Sequence, residues 1–180
     1  MKKLITAILL AATAASCTNN GGSASATTAD STLAAWQAKD SIMQKNKATA
    51  LAALVALNNG YIDSGFSTTT PDAVDYGNGT YPPTRGKDSI IAGFKAFFTA
   101  FPDSKGSNFQ VFGHGNTVVV LADWTGTFKN AFMGNKPTGK SYHYPDADIF
   151  TFNNAGMIIA HRSIQSNQVL DQQVGIPMKK

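Results

Sequence analysis

The sequence of 180 residues has a single cysteine, no glutamate and no run of like charges. With one thiol, Cys17, there is no partner for an internal disulfide and no thiolate cluster for a metal. Its longest apolar stretch, Leu4 to Ala15, falls short of the about 20 residues that a bilayer-spanning helix needs. Charge is sparse, at 14% of residues. Once Lys2 and Lys3 leave with a leader, 13 basic residues stand against 11 aspartates, which gives no footprint for nucleic acid and no basic face for a lipid surface.

What is present suits one compact globular domain, with hydrophobic residues at 43%. Lys2 and Lys3, the apolar run and the small residues Ala14, Ala15 and Ser16 read as a bacterial export signal over residues 1–16. Cys17 then stands where a lipobox places the thiol that is lipidated and becomes the mature N-terminus. Ala14 replaces the usual Leu of such boxes, and cleavage as an ordinary secreted protein is the alternative. Residues 17–30 (CTNNGGSASATTAD) are the lipidated cysteine and a flexible tether. Residues 31–176 form the domain and 177–180 a tail. The expected location is the periplasm or cell envelope, with the membrane reached through the lipid on Cys17.

Asp30 or Ser31 can cap a helical region with a break near Asn46 and a stop at Asn58, Asn59 and Gly60. From Tyr61 to Pro83 the text is rich in Gly, Thr, Pro and Asp, and reads as loop with a short strand at Ala73 to Tyr76. Asp88 is placed to cap the clearest helix, in which Ile90, Ile91, Phe94, Phe97, Phe98 and Phe101 form one apolar stripe that Pro102 ends. Such a stripe is read as core. Strand text follows at 108–113, 117–128, 141–152 and 157–166. Helices followed by consecutive strands imply an α+β fold, an antiparallel sheet with helices on one face. In the second of these strands Val118, Val120, Ala122, Trp124 and Phe128 should face the helices.

Asn153 to Gly156 joins the last two strands, with Gly156 at the left-handed position of a hairpin loop. Simple alternation then sets Phe152 opposite Ile158, Phe150 opposite Ala160, Asp148 opposite Arg162, Asp146 opposite Ile164 and Tyr144 opposite Ser166. That face grades from apolar to polar like a ligand cavity wall. A slip of one residue would bring His143 and His161 onto it instead. Asp148 and Arg162 are read either as a cross-strand ion pair or as working groups.

Gly134 to Ser141 (GNKPTGKS) matches the phosphate-loop pattern G-x-x-x-x-G-K-S/T, but strand text follows where that loop needs a helix N-terminus. His114, His143 and His161 lack the spacing of metal ligands. No serine lies in a nucleophile elbow.

Several strings in order resemble the SnoaL-like polyketide cyclases of the nuclear-transport-factor-2-like superfamily. They are RGKDSI at 85–90, FPD at 101–103, WTGTF at 124–128, PTGK at 137–140, DIFTF at 148–152 and QQVG at 172–175. The resemblance covers roughly residues 46 to 176 and implies a cone-shaped α+β fold: a curved antiparallel sheet packed against N-terminal helices, with a short C-terminal helix. It also implies chemistry without metal or cofactor, by an Asp near the end of the last strand, four residues after a Trp. Carried over, the Trp position is Arg162 and the Asp position is Ser166.

The expectation is therefore an exported domain whose cavity binds a small, partly apolar ligand through Trp124, Tyr144, Phe150, Arg162 and Ser166 without the family's usual catalysis. The alternatives are a cofactor-free cyclase or isomerase using Asp148, Asp146 or a displaced His143, and an envelope scaffold that associates through the outer sheet face, for example as a homodimer. A wide cavity with an unpaired, desolvated carboxylate favours the enzyme, a carboxylate locked to Arg162 favours binding, and a filled cavity favours the scaffold.

Overall fold

The computed structural model describes residues 23–165 and 167–177, which leaves Cys17, the leader and Ser166 outside the described residues. The chain divides into two compact units, Met1–Gln37 and Ala38–Lys180, and the second carries the sheet and the site. Among the described residues no helix is long and apolar enough to cross a membrane.

Helix α1 (Ser23–Asn58) starts earlier than Asp30 and does not break at Asn46. Asn46 is buried and in step with Ala50, Ala53, Leu54 and Leu57 at helical spacing, so it belongs to the packed face. Its side chain borders the turn at Gly156. A single turn, α2 (Ile62–Gly65), leads to β1 (Thr69–Asp75), which is longer than the strand expected there. The register of β1 shifts between Thr69 and Val74, and this irregularity houses Pro71 and Asp72, the residues that make the text read as loop. Strand β2 (Thr84–Arg85) then gives way to α3 (Lys87–Ala100), whose N-cap is Gly86 at φ 87° with no side-chain cap. Asp88 lies one residue inside α3, in the first turn, where its charge still meets the positive end of the helix dipole.

Four longer segments follow: β3 (Lys105–His114), β4 (Thr117–Thr127), β5 (Ser141–Phe152) and β6 (Ile158–Ser163), then α4 (Asn167–Val174). Spatial order in the six-stranded sheet is β2-β1-β6-β5-β4-β3. All pairs are antiparallel except β1 with β6, which run parallel. This is the expected α+β architecture of a curved sheet with helices on one face, with the parallel pair as an added feature. The alternation of β4 holds: Val118, Val120, Ala122 and Phe128 are buried, and Trp124 is half-buried on the same side.

Two apolar clusters fill that side. One joins Ala50, Leu54 and Leu57 of α1 to Val118, Val120, Phe150, Phe152 and Ile158 of the sheet. The other gathers Phe101, Phe128, Tyr142, Leu170 and Val174. Phe101 is fully buried and its ring meets those of Phe97, Phe128, Phe132 and Tyr142. Phe101→Ala should therefore cost about 3–5 kcal/mol in urea unfolding, whereas Phe112→Ala, at an exposed position, should stay within about 0.5 kcal/mol. Equal losses in the two variants would contradict this placement of the core.

Candidate functional site

Two irregularities in strand register assemble the site. Phe152 pairs with Ile158 as the hairpin turn dictates, Gly156 sitting at φ 75°. Ile159 is then an extra residue in β6, so Thr151 pairs with Ala160, Phe150 with His161, Ile149 with Arg162 and Asp148 with Ser163. This overturns the simple alternation. Asp148 and Arg162 lie on opposite faces of the sheet and form no pair. Arg162 is exposed, with its guanidinium 5.1 Å from the ring centre of Tyr76, and it does not line the cavity. The slip brings in His161 but not His143, which stays exposed on the other side.

His161 occupies the inner face beside two carboxylates from neighbouring strands. Parallel pairing sets Asp75 of β1 directly across from it, with Nδ1 3.1 Å from Asp75 Oδ1. Nε2 lies 3.0 Å from Asp148 Oδ1. The rings of Phe150 and Phe94 pack against the imidazole at 5.0 and 6.2 Å. A histidine with a carboxylate oxygen at each nitrogen has two consistent arrangements. Either it is an imidazolium donating to both, or it is neutral and Asp148 holds the proton; the two differ by one proton moved along the Nε2–Oδ1 line.

Burial and charge compete over these three groups. Burial alone would push the His161 imidazolium down, but the hydrogen bonds to Asp148 and Asp75 and their charges outweigh it and raise its pKa to about 10. Burial would raise Asp75 as well, yet His161 and the Gly77 N–H, which donates to Asp75 Oδ1 at 2.8 Å, hold it below its ordinary value. Asp148 goes the other way. Desolvation keeps it above the ordinary carboxylate range in spite of His161. It is 7% exposed, and its second oxygen, Oδ2, has no hydrogen-bond partner.

These groups stand on the wall of a cavity of about 330 Å³ between the sheet, α3 and α4. Trp124 and Tyr144 line it, as do Phe94, Phe97 and Phe98, so the α3 stripe read as core serves partly as cavity wall. Phe150 instead lines a small apolar pocket of about 30 Å³ that also borders His161. Burial, with Tyr142, Asp146 and Asp148 nearby, lifts the Tyr144 phenol far above its ordinary range and keeps it a proton donor. Asp146 also borders the cavity, but its oxygens are engaged. Oδ1 accepts from the N–H groups of Ala147, Ile164 and Gln165, and Oδ2 from the Ser163 hydroxyl at 2.5 Å. It fixes the exit from β6. Gln173 of α4 bonds both the N–H and the C=O of His143, covering the edge of β5 where β6 no longer pairs.

Among the described residues no group of His, Cys and Asp is arranged to hold a metal ion. The GNKPTGKS segment leads straight into β5 with no helix, in keeping with its rejection as a phosphate loop. From the sequence His161 enters this face only through a slip, and Asp75 lies in the short strand expected at Ala73 to Tyr76 with no role assigned to it. One signal for the bulge was present: strict alternation would have turned a charged Arg162 toward an apolar face.

The family model for the SnoaL-like polyketide cyclases matches residues 48–174. Among solved structures, the chain is similar to a candidate SnoaL-like polyketide cyclase from Jannaschia sp. CCS1, at 25% identity and TM-score 0.69 over 76% of this chain and 96% of that one. It is similar to IdmH, a candidate polyketide cyclase from Streptomyces antibioticus, at 25% identity and TM-score 0.60 over 72% and 98%. AclR, a candidate hydroxylase from Streptomyces galilaeus, shares the fold at 20% identity and TM-score 0.64 over 76% and 99%. The search among curated proteins gives no match.

The raised His161 pKa carries a sign. Between the ordinary 6.5 and about 10 the folded protein holds a proton that the unfolded chain has released. The His161 contribution to stability is thus complete below pH 6.5 and is lost as pH rises toward about 10. Urea midpoints should fall over that window, less steeply in Asp75→Asn, while imidazole nitrogen NMR shows His161 still protonated at about pH 8. A wild-type imidazole that titrates at its ordinary value would refute the assignment.

Proposed function

Because the chain belongs to the SnoaL-like polyketide cyclase family, we propose that its cavity takes up a small, partly apolar molecule with an enolisable carbonyl and that Asp148 moves a proton on it. The observation that carries this reading is the buried Asp148 carboxylate on the cavity wall, with one oxygen on His161 and the other without a partner. Such a carboxylate has features of a general base: an elevated pKa, an oxygen that no described residue hydrogen-bonds and a wall of apolar side chains that limits water.

In the proposed step a C–H bond next to the carbonyl breaks and its proton forms an O–H bond on Asp148. The electron pair moves onto the carbonyl oxygen, and the Tyr144 phenol, a lining residue of the same cavity, serves as its hydrogen-bond donor. His161, fixed by Asp75, balances the charge on Asp148 and can pass a proton to it through Nε2. Return of the proton to a different carbon gives isomerisation. Attack of the enolate carbon on a second carbonyl of the same molecule closes a ring, with the new alkoxide taking the proton from Asp148. Arg162, once expected to lock this carboxylate, is on the other face, and its absence from the cavity favours turnover over simple binding.

Export and membrane attachment form the second part of the proposal, supported by the sequence of residues 1–17: the leader is removed and the Cys17 thiol carries lipid. Palmitate labelling of the full-length chain should be lost in Cys17→Ser, with the protein leaving the membrane fraction. A labelled variant would dismiss the anchor.

For the chemistry, exchange of the α-protons of ethyl benzoylacetate in D2O is the direct measurement. Wild type should exceed the buffer rate, Asp148→Asn should lose at least about 100-fold of that excess, and Arg162→Ala should retain it. Wild-type exchange no faster than buffer, with the ester shown to bind, would leave a binding domain and remove the enzyme reading.

A further inference from the structure

We propose that the cavity selects an organic cation, a protonated amine or quaternary ammonium carried on an apolar or aromatic body. The inference rests on the reading of this cavity as a small-molecule site and narrows what enters it. Four carboxyl groups border the cavity, those of Asp75, Asp146, Asp148 and Asp171, against the single imidazole of His161. No lysine or arginine is among its described lining residues. Composition does not explain this, because even without Lys2 and Lys3 the chain has 13 Lys and Arg against 11 Asp. The lysines and arginines among the described residues lie elsewhere on the domain.

Two of the four carboxyl groups, that of Asp148 at Oδ2 and that of Asp171, also lack donors among the described residues. Asp148 is more than nine-tenths buried, yet no described residue donates to its Oδ2. The Asp75–His161–Asp148 chain carries a net charge of minus one in either of its two protonation arrangements, so it remains an anionic wall. Asp171, half-buried on α4, also faces the cavity, and its carboxylate has no partner among the described residues. A buried acceptor without a donor is unfavourable, and an ammonium group supplies donors and the opposite charge together.

The remaining walls suit the same guest. Phe97, Phe98, Trp124 and Tyr144 border the cavity, and aromatic faces attract ammonium groups through their negative quadrupole, most strongly where water is excluded. The volume of about 330 Å³ is at the small end of the range for ligand sites. An anionic guest would meet carboxyl groups with no lysine or arginine to receive it. A neutral one would bring no counter-charge to these carboxyl groups.

Three probes of nearly one shape test this: 2-phenylethylammonium, 2-phenylethanol and 3-phenylpropanoate, titrated calorimetrically into the protein at neutral pH and low salt. The cation should bind at least about ten-fold more tightly than the alcohol, and the anion more weakly than either. Asp171→Asn, at a partly exposed helical position that should not disturb folding, should cut the cation-to-alcohol ratio at least about three-fold while leaving the alcohol unchanged. Equal affinities, a tighter anion or no cation binding would overturn the inference. The proton-exchange assay with the neutral ester is separate. Cation preference without exchange would remove only the acid–base reading, and exchange without cation preference would remove only this one.

Discussion

One extra residue in β6 determines the site. With Ile159 bulged, His161 turns inward between Asp75 and Asp148, and Arg162 turns out to Tyr76. Without the bulge, alternation from Ile158 would put Arg162 inward opposite Asp148 and turn His161 outward, and the Asp75–His161–Asp148 chain would not form. The bulge opens the ladder by one position and exchanges a guanidinium for an imidazole beside Asp148. The parallel β1–β6 pairing follows the same logic, because it sets Asp75 level with His161 and gives the second nitrogen its acceptor.

Much of the fold was legible because it rests on strong local patterns. The α3 stripe, the even face of β4 and the turn at Gly156 are each fixed by side-chain period or backbone conformation. The site was less legible because it depends on departures from those patterns. Pro71 and Asp72 made the first half of β1 look like loop, and only the pairing with β6 shows that strand and irregularity coexist. Asn46 looked like a helix breaker because propensity favours non-helical placements for Asn, yet its place on the buried face of α1 overrides that preference. His161 looked like a core histidine by frequency, and buried it is, but between two carboxyl groups that share a proton with it.

The α3 phenylalanines show how stability and binding share the same residues. Ile90 and Phe101, at the two ends of the stripe, are buried, whereas Phe94, Phe97 and Phe98 between them are only half-buried and form cavity wall. Complete burial of those rings would stabilise the domain further and fill the cavity. The two apolar clusters instead close at either end and leave the space between them open, with α4 covering the side where β6 has stopped pairing.

The family resemblance places its acid at the end of the last strand, where this sequence has Ser166 with Arg162 four residues earlier. In this chain the ionisable groups of the cavity lie deeper along the sheet, on β1, β5 and β6. An acid at a strand end is exposed to water and needs a neighbouring apolar wall to raise its pKa. Asp148, in mid-strand and buried, has its pKa raised by its own position. Burial that deep would by itself keep the carboxyl protonated and useless as a base, and it is His161, backed by Asp75, that brings the proton within exchange distance. Three strands are therefore needed to set one buried carboxyl group against its histidine, and the Asp75, His161 and Asp148 groups they bring together carry a net negative charge on the cavity wall.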